Sequence, residues 1–171
     1  MERFEGTAAR ILEATGQVLL RNGRHKLSMW DVAVEAEVSR PTLYRWFPSK
    51  EALLEGFGLY EQHKYDDGMA AALAGLSGLE ALDAALEFIV EFQRTYSLAN
   101  LSDVEPEHVL FQMARTLPIM RKRIAALIPG PDAETIAGTI VRVAVCHYAI
   151  PGDDRKAFLA QLRHAAGIVV V

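Results

Sequence analysis

Apolar residues recur at helical spacing near the start of the chain, where Ala9, Ile11, Leu12, Ala14, Val18 and Leu19 share one stripe and Asn22-Gly23 ends it. This predicts a supporting helix over 6–22. The next stripe is shorter and richer in boundary signals. Ser28 is an N-cap type, Asp31 places a carboxylate in the first turn, and Val32, Ala33 and Ala36 form an apolar face with room for a second helix to pass close. Val38 fills a turn, Ser39 caps a further helix, and Pro41 falls in its first turn, where a missing N–H costs nothing. Leu43 and Phe47, four apart, supply that helix's buried stripe, Pro48 stops it, and Ser49 caps the next. A long helix is expected from Lys50 toward about Ala74, with Leu53, Leu54, Phe57 and Tyr60 in its first half and a mostly polar patch from Glu61 to Asp67.

Gly75 and Gly78 interrupt the pattern. Leu79 to about Leu98 then reads as a strongly apolar helix whose aromatic residues fall on more than one face. A loop is expected over Asn100 to Pro106, with Ser102 or Asp103 as cap. Two shorter helices follow, Glu107 to Thr116 and Pro118 to Ile128; the second is opened by Pro118 and carries Arg121, Lys122 and Arg123 as a solvated basic face. Pro129-Gly130-Pro131 is a firm break. From about Asp132 to Ile150 the chain is apolar almost all round, with Ala137, Gly138 and Ala144 allowing close approach, and Asp153 is expected to cap a last helix reaching about Gly167. The covering expected for that apolar helix is the last helix plus the same pair from a second copy. The pattern as a whole is all-α, with a first domain over 1–50 and a second over 51–171.

Composition supports helix: 51% of residues are hydrophobic, and alanine and leucine outnumber β-branched residues. The net charge of −4 is unevenly spread, since residues 1–50 hold eight Lys/Arg against six Asp/Glu and the acidic excess lies beyond them. The apolar run near 132–150 is too short and too charged for a membrane span. A lone Cys146 excludes an internal disulfide and suits a reducing cytoplasm, and MERFEGTAAR has no apolar run of a signal peptide.

The segment 28–50, SMWDVAVEAEVSRPTLYRWFPSK, has the layout of a helix-turn-helix, and its second helix turns Arg40, Thr42, Tyr44, Arg45 and Trp46 outward. These are hydrogen-bonding and stacking groups with a positive balance, although Trp46 is equally suited to packing on the first motif helix. Lys50 sets an ammonium against the positive end of a helix dipole, so its natural partner is an anion outside the protein. VSRPTLYRWFPSKEALL resembles the DNA-binding signature of the TetR family of bacterial transcriptional regulators, with the likeness extending over roughly 6–56. That resemblance implies a three-helix DNA-binding head and a divergent helical body that binds an effector and dimerises. It implies that Arg40, Pro41, Thr42 and Arg45 approach base edges, that Ser28, Tyr44, Trp46 and Lys50 grip the phosphate backbone, and that Ser39 belongs to the same DNA-binding set. Glu37 departs from the pattern, for it stands at a turn position where the family commonly has Gly.

Catalytic readings find no support: HExxH, GxSxG and a Cys pair are missing, and five His lack ligand spacing, so no enzyme, metal or cofactor is expected. Cys146 and His147, adjacent on a helix, point to different sides. The expected partners are a palindromic double-stranded DNA operator, a second copy of the chain and an apolar small-molecule effector, with no membrane. Phe88, Phe92, Tyr96, Phe111 and Met120 are the expected lining of the effector pocket. Arg142 has two readings, a partner for an effector carboxylate or a member of an interface or internal ion pair. His108 and Gln112 read either as pocket groups or as a solvated helix edge. Release of a repressor by its effector is the expected mode, and an effector-independent DNA-binding or partner-recruiting module is the alternative.

Overall fold

The computed structural model describes residues 6–95, 106–150 and 152–168; of 94, 95 and 106–113 only the backbone is described. Among the described residues there are eight helices and no strand. They are α1 (Thr7–Lys26), α2 (Met29–Glu35), α3 (Arg40–Trp46), α4 (Lys50–Ala72), α5 (Gly78–Thr95), α6 (Pro106–Ala125), α7 (Ala133–Ala149) and α8 (Arg155–Ala165). The chain divides into two units, Met1–Asp66 and Asp67–Val171, with the division inside α4 rather than at its start.

In the first unit α1 presents Ala8, Ile11, Leu12, Ala14, Val18 and Leu19 to a core shared with Val32 and Ala33 of α2, Ala36 at its C-cap, Leu43 of α3, Phe47 at its C-cap, and Leu53 of α4. The expected break after Asn22 is present as a non-helical Gly23 at φ 71°, beyond which one more turn runs to Lys26. The helices α2, α3 and α4 are capped as their sequences require. Ser28 Oγ accepts from the Asp31 N–H at 3.1 Å, Ser39 Oγ from the Thr42 N–H at 3.2 Å and Ser49 Oγ from the Ala52 N–H at 3.1 Å. Gly56 lets α4 close on this core, since a Cβ there would stand 2.7 Å from the Phe47 ring. Arg21 of α1 pairs with Glu35 of α2. Tyr60 Oη donates to Glu13 Oε1 at 2.8 Å, and burial together with that carboxylate pushes the phenol up to about 12.

The second unit gathers Leu82, Ala85, Leu86, Ile89 and Val90 of α5, Ile124 of α6, Ala137, Ile140, Val141 and Ala144 of α7, and Phe158, Leu159 and Leu162 of α8. Met69 and Leu73, from the end of α4, pack against this cluster. The small residues of α7 are spent here. Ala137, Gly138 and Ala144 are buried within one copy, so the all-round apolar helix is covered by its own α5, α6 and α8 rather than by a second chain at those positions.

Three boundaries differ from the sequence reading. The two helices expected over Glu107 to Thr116 and Pro118 to Ile128 are one, Pro106–Ala125, with Pro118 inside it. A proline removes one hydrogen bond, whereas Leu117, Met120 and Ile124 keep an unbroken stripe on the body core, and that burial outweighs the loss. The last helix is capped by Asp154, whose Oδ1 accepts from the Ala157 N–H at 2.8 Å, while Asp153 instead accepts from Gln161. The expected loop at 100–106, with Ser102 or Asp103 as cap, lies outside the described residues apart from Pro106 itself.

Candidate nucleic-acid interface

Leu43 is fully buried and Phe47 nearly so, which fixes the rotation of α3 and sends the remaining side chains outward. Arg40, Pro41, Tyr44, Arg45 and Trp46 are all exposed, and Thr42 is half-buried. Trp46 is 47% exposed and Tyr44 49%, so neither is consumed by packing on α2. The nine residues named from the sequence therefore fall in one short stretch of structure, the N-terminus of α2, the whole of α3 and the first residue of α4.

Local hydrogen bonding sets what each can offer. The Thr42 hydroxyl is 2.8 Å from Ser39 Oγ, so these two act as a capping pair that holds the first turn of α3. Lys50 does not wait for an external anion: its Nζ donates to the His25 carbonyl at 3.1 Å, latching the start of α4 to the end of α1. An ammonium has three donors, so two remain for another acceptor. Glu37 occupies the turn with φ 53°, the left-handed conformation for which the sequence pattern favours Gly. Its N–H donates to the Val34 carbonyl and that of Val38 to Ala33, so the turn closes despite the side chain.

One member of this surface was not singled out from the sequence. Trp30, in the first turn of α2, is 51% exposed, and the guanidinium carbon of Arg40 stands 4.0 Å from the centroid of its ring. The signal was present as an unassigned aromatic two residues after the Ser28 cap, yet an α2 ring meeting an α3 cation is a tertiary fact that spacing within either helix does not give.

The other predicted residues lie in the second unit. Phe88 and Phe92 are brought together, with ring centroids 5.7 Å apart and planes tilted by 37°. The Phe88 ring lies against Gly68, where a Cβ would approach it to 2.6 Å. Met120 is partly buried against the body core. Arg142 is exposed on α7, its Nη1 donating to the Gly138 carbonyl at 3.3 Å. Tyr96 lies outside the described residues, as do the side chains of Phe111, His108 and Gln112. Cys146 is exposed, whereas the His147 ring stacks on Phe158 with centroids 3.7 Å apart and sits within 3.4 Å of Gln93 Oε1 and 3.3 Å of the Asp153 carbonyl. The neighbouring thiol and imidazole thus face different surroundings, as their helical spacing implied. Of the basic run on α6, Arg121 pairs with Glu134 at 2.8 Å, and Lys122 and Arg123 are exposed. Among the described residues no group of three His, Cys, Asp or Glu could hold a metal ion, and no helix is long and apolar enough to cross a membrane.

Residues 11–57 match the family described as bacterial regulatory proteins, tetR family. The chain is similar to the HTH-type transcriptional regulator UidR of Escherichia coli (strain K12), 33% identical over 84 residues, a match covering 49% of this chain and 41% of UidR. The shared region thus spans less than half of that relative's length. Similarity to the HTH-type transcriptional regulator AlkX of Mycobacterium tuberculosis (strain H37Rv) is 27% over 89% of this chain and 81% of AlkX. The fold resembles that of a TetR-like transcriptional regulator from Rhodococcus sp. RHA1, with a TM-score of 0.65 and 23% identity over 96% of this chain and 97% of the other. With a capped helix-turn-helix that exposes a basic, aromatic strip in its first unit and an all-helical second unit among the described residues, the chain is similar to the bacterial regulatory proteins of the tetR family, whose model its residues 11–57 match.

Proposed function

We propose that the protein is a sequence-specific DNA-binding transcriptional regulator, a repressor that binds a palindromic operator as a homodimer and is released by an apolar effector. The observation that carries the DNA-binding reading is the rotation of α3. Burial of Leu43 and Phe47 leaves Arg40, Tyr44, Arg45 and Trp46 exposed together, which suits a helix entering a major groove with base-edge donors near its start and backbone-gripping groups along it. Both curated relatives are transcriptional regulators and not enzymes, in keeping with this reading.

Support for an apolar effector comes from the Phe88–Phe92 pair, whose rings are only partly buried, and from Met120, a flexible side chain also partly buried in the second unit. Support for a dimer comes from two exposed stripes: Thr135, Thr139, Arg142 and Cys146 on α7, and Ala157, Ala160, Gln161 and His164 on α8, each at the i, i+3/i+4, i+7 spacing of one helix face. On this reading Arg142 belongs to the interface rather than to the pocket.

The test is duplex binding over several salt concentrations, using a duplex selected by the wild-type protein from a randomised library and a scrambled duplex of equal composition. Arg40→Ala should weaken the selected duplex by roughly 1–3 kcal/mol per half-site and spare the scrambled one. Equal losses on both would refute base reading by Arg40. A thermal-shift panel of fatty acids, acyl thioesters and hydrophobic drugs, repeated with Phe92→Ala, tests the effector; binders should raise the melting temperature and release DNA. A protein that no small molecule releases would be the effector-independent module instead.

A further inference from the structure

We infer that Trp30 is a positioning residue for sequence reading: its indole face holds the Arg40 guanidinium, so that a base-reading donor is set in place before DNA arrives. The inference rests on the DNA-binding function proposed above.

Arg40 opens α3, where the helix dipole disfavours a cation and where a long, exposed side chain would otherwise sample many rotamers. Two features of the structure oppose both effects. The backbone under Arg40 is fixed by the Ser39 cap, the Ser39–Thr42 hydroxyl contact and the restricted φ of Pro41. The guanidinium carbon lies 4.0 Å from the Trp30 ring centroid, within the range of cation–π attraction. The N–H donors of a guanidinium lie in its plane, at the edge, so one whose central carbon rests over a ring still has donors to offer, and that edge is what a bidentate contact to guanine uses. Trp30 is itself held, since it lies in the first turn of α2 behind the Ser28 cap, and Val32 and Ala33 anchor that helix in the core. Half of its surface remains open, so its size is not explained by core packing.

The experiment is a double-mutant cycle with wild type, Trp30→Leu, Arg40→Ala and the double variant, on the wild-type-selected and the scrambled duplex. Trp30→Leu is expected to weaken the selected duplex about three- to tenfold, to leave the scrambled duplex unchanged, and to have little further effect once Arg40 is Ala. Trp30→Phe should recover most of the loss. In the free protein, protons of the Arg40 side chain should show an upfield ring-current shift in NMR that Trp30→Leu abolishes. Equal cost of Trp30→Leu with and without Arg40, or equal cost on both duplexes, would overturn the positioning role, because Trp30 would then be touching DNA or supporting the head independently. An unshifted Arg40 signal would overturn it without reference to DNA. Failure of the wild type to discriminate between the duplexes would overturn the DNA-reading function, and this inference with it.

Discussion

At position 37 the chain holds a non-glycine residue at φ 53°, and a Cβ in that conformation meets the following carbonyl at a cost of about 1 kcal/mol. Glu37→Gly relieves that strain but adds freedom to the unfolded chain, so the net gain expected in urea denaturation is roughly 0.5–1 kcal/mol. Removing the carboxylate from beside α3 should also strengthen DNA binding, more at low salt than at high. Glu61 carries a different kind of strain. Burial, with the Glu13 carboxylate adding to it, raises its carboxyl from 4.5 to about 7 even though Lys64 at 3.8 Å pulls the other way. A folded pKa above the unfolded one means that protonation favours folding. Its contribution is full below about pH 4.5 and is lost as pH rises toward 7. Glu61→Gln stays neutral throughout, so it should be more stable than wild type by about 1–2 kcal/mol at pH 8, with the two converging near pH 4.5, as measured by denaturation across that range. The first of these residues was marked in the sequence only through the resemblance, which puts Gly at that turn position. The second was not. Glu61 opened a patch read as polar surface, and its burial follows from α1 lying beside it, which local spacing does not encode.

Between helices, acidic and basic residues at matching intervals set a register. Asp83, Glu87 and Glu91 follow one another every fourth residue along α5, and Arg163 and Arg155, eight apart on α8, meet them in reverse order. Arg163 is bidentate on Asp83 at 2.6 and 2.7 Å and reaches Glu87 at 2.7 Å, and the Asp83 carboxylate holds its guanidinium above the usual arginine value. The pair works because α5 and α8 run antiparallel; parallel helices would place Arg163 beside Glu91. Arg163→Leu is expected to cost about 1–2 kcal/mol in chemical denaturation, since its side chain is only 19% exposed. Arg155→Leu, at an exposed pair, should cost under about 0.5 kcal/mol. In the first unit the helices and their stripes were legible, and so were the caps at Ser28, Ser39 and Ser49. What misled was punctuation taken alone. Pro118 is a good helix start by itself, yet the packing of Leu117, Met120 and Ile124 on the body core keeps one helix running through it.

For the molecule, small residues had two readings that only the fold separates. Ala144 lies in the body's own core, where a charge would unfold the unit, and a side chain at Gly138 would stand against the Arg142 and Arg121 side chains of the same copy, so neither position reports on assembly. Ala157 and Ala160 on α8 are small and exposed, and a charge at either is tolerated by one copy. Ala160→Glu is therefore expected to yield monomers in sedimentation with unchanged circular dichroism and with operator affinity lost. A dimeric Ala160→Glu protein with full affinity would remove this stripe from the interface. The charge asymmetry of the sequence pointed to the part of the chain that matches the family model, but which side chains stand exposed there depends on α3's rotation, and the ring beside Arg40 is contributed by α2. The aromatic content of the body was likewise legible, while its grouping was visible only for Phe88 and Phe92.

Because α4 gives Leu53 to one core and Met69 and Leu73 to the other, it cannot be whole unless both are intact. A helix is a cooperative object, and the loss of cover at one end raises the cost of keeping the turns next to it. The two units thus share a single element of stability as well as a chain, and heating should melt them in one calorimetric transition rather than two. A destabilising change deep in the body, such as Leu86→Ala, would lower that common melting point and increase amide exchange in the head, placing DNA-binding competence under the control of residues that never approach DNA.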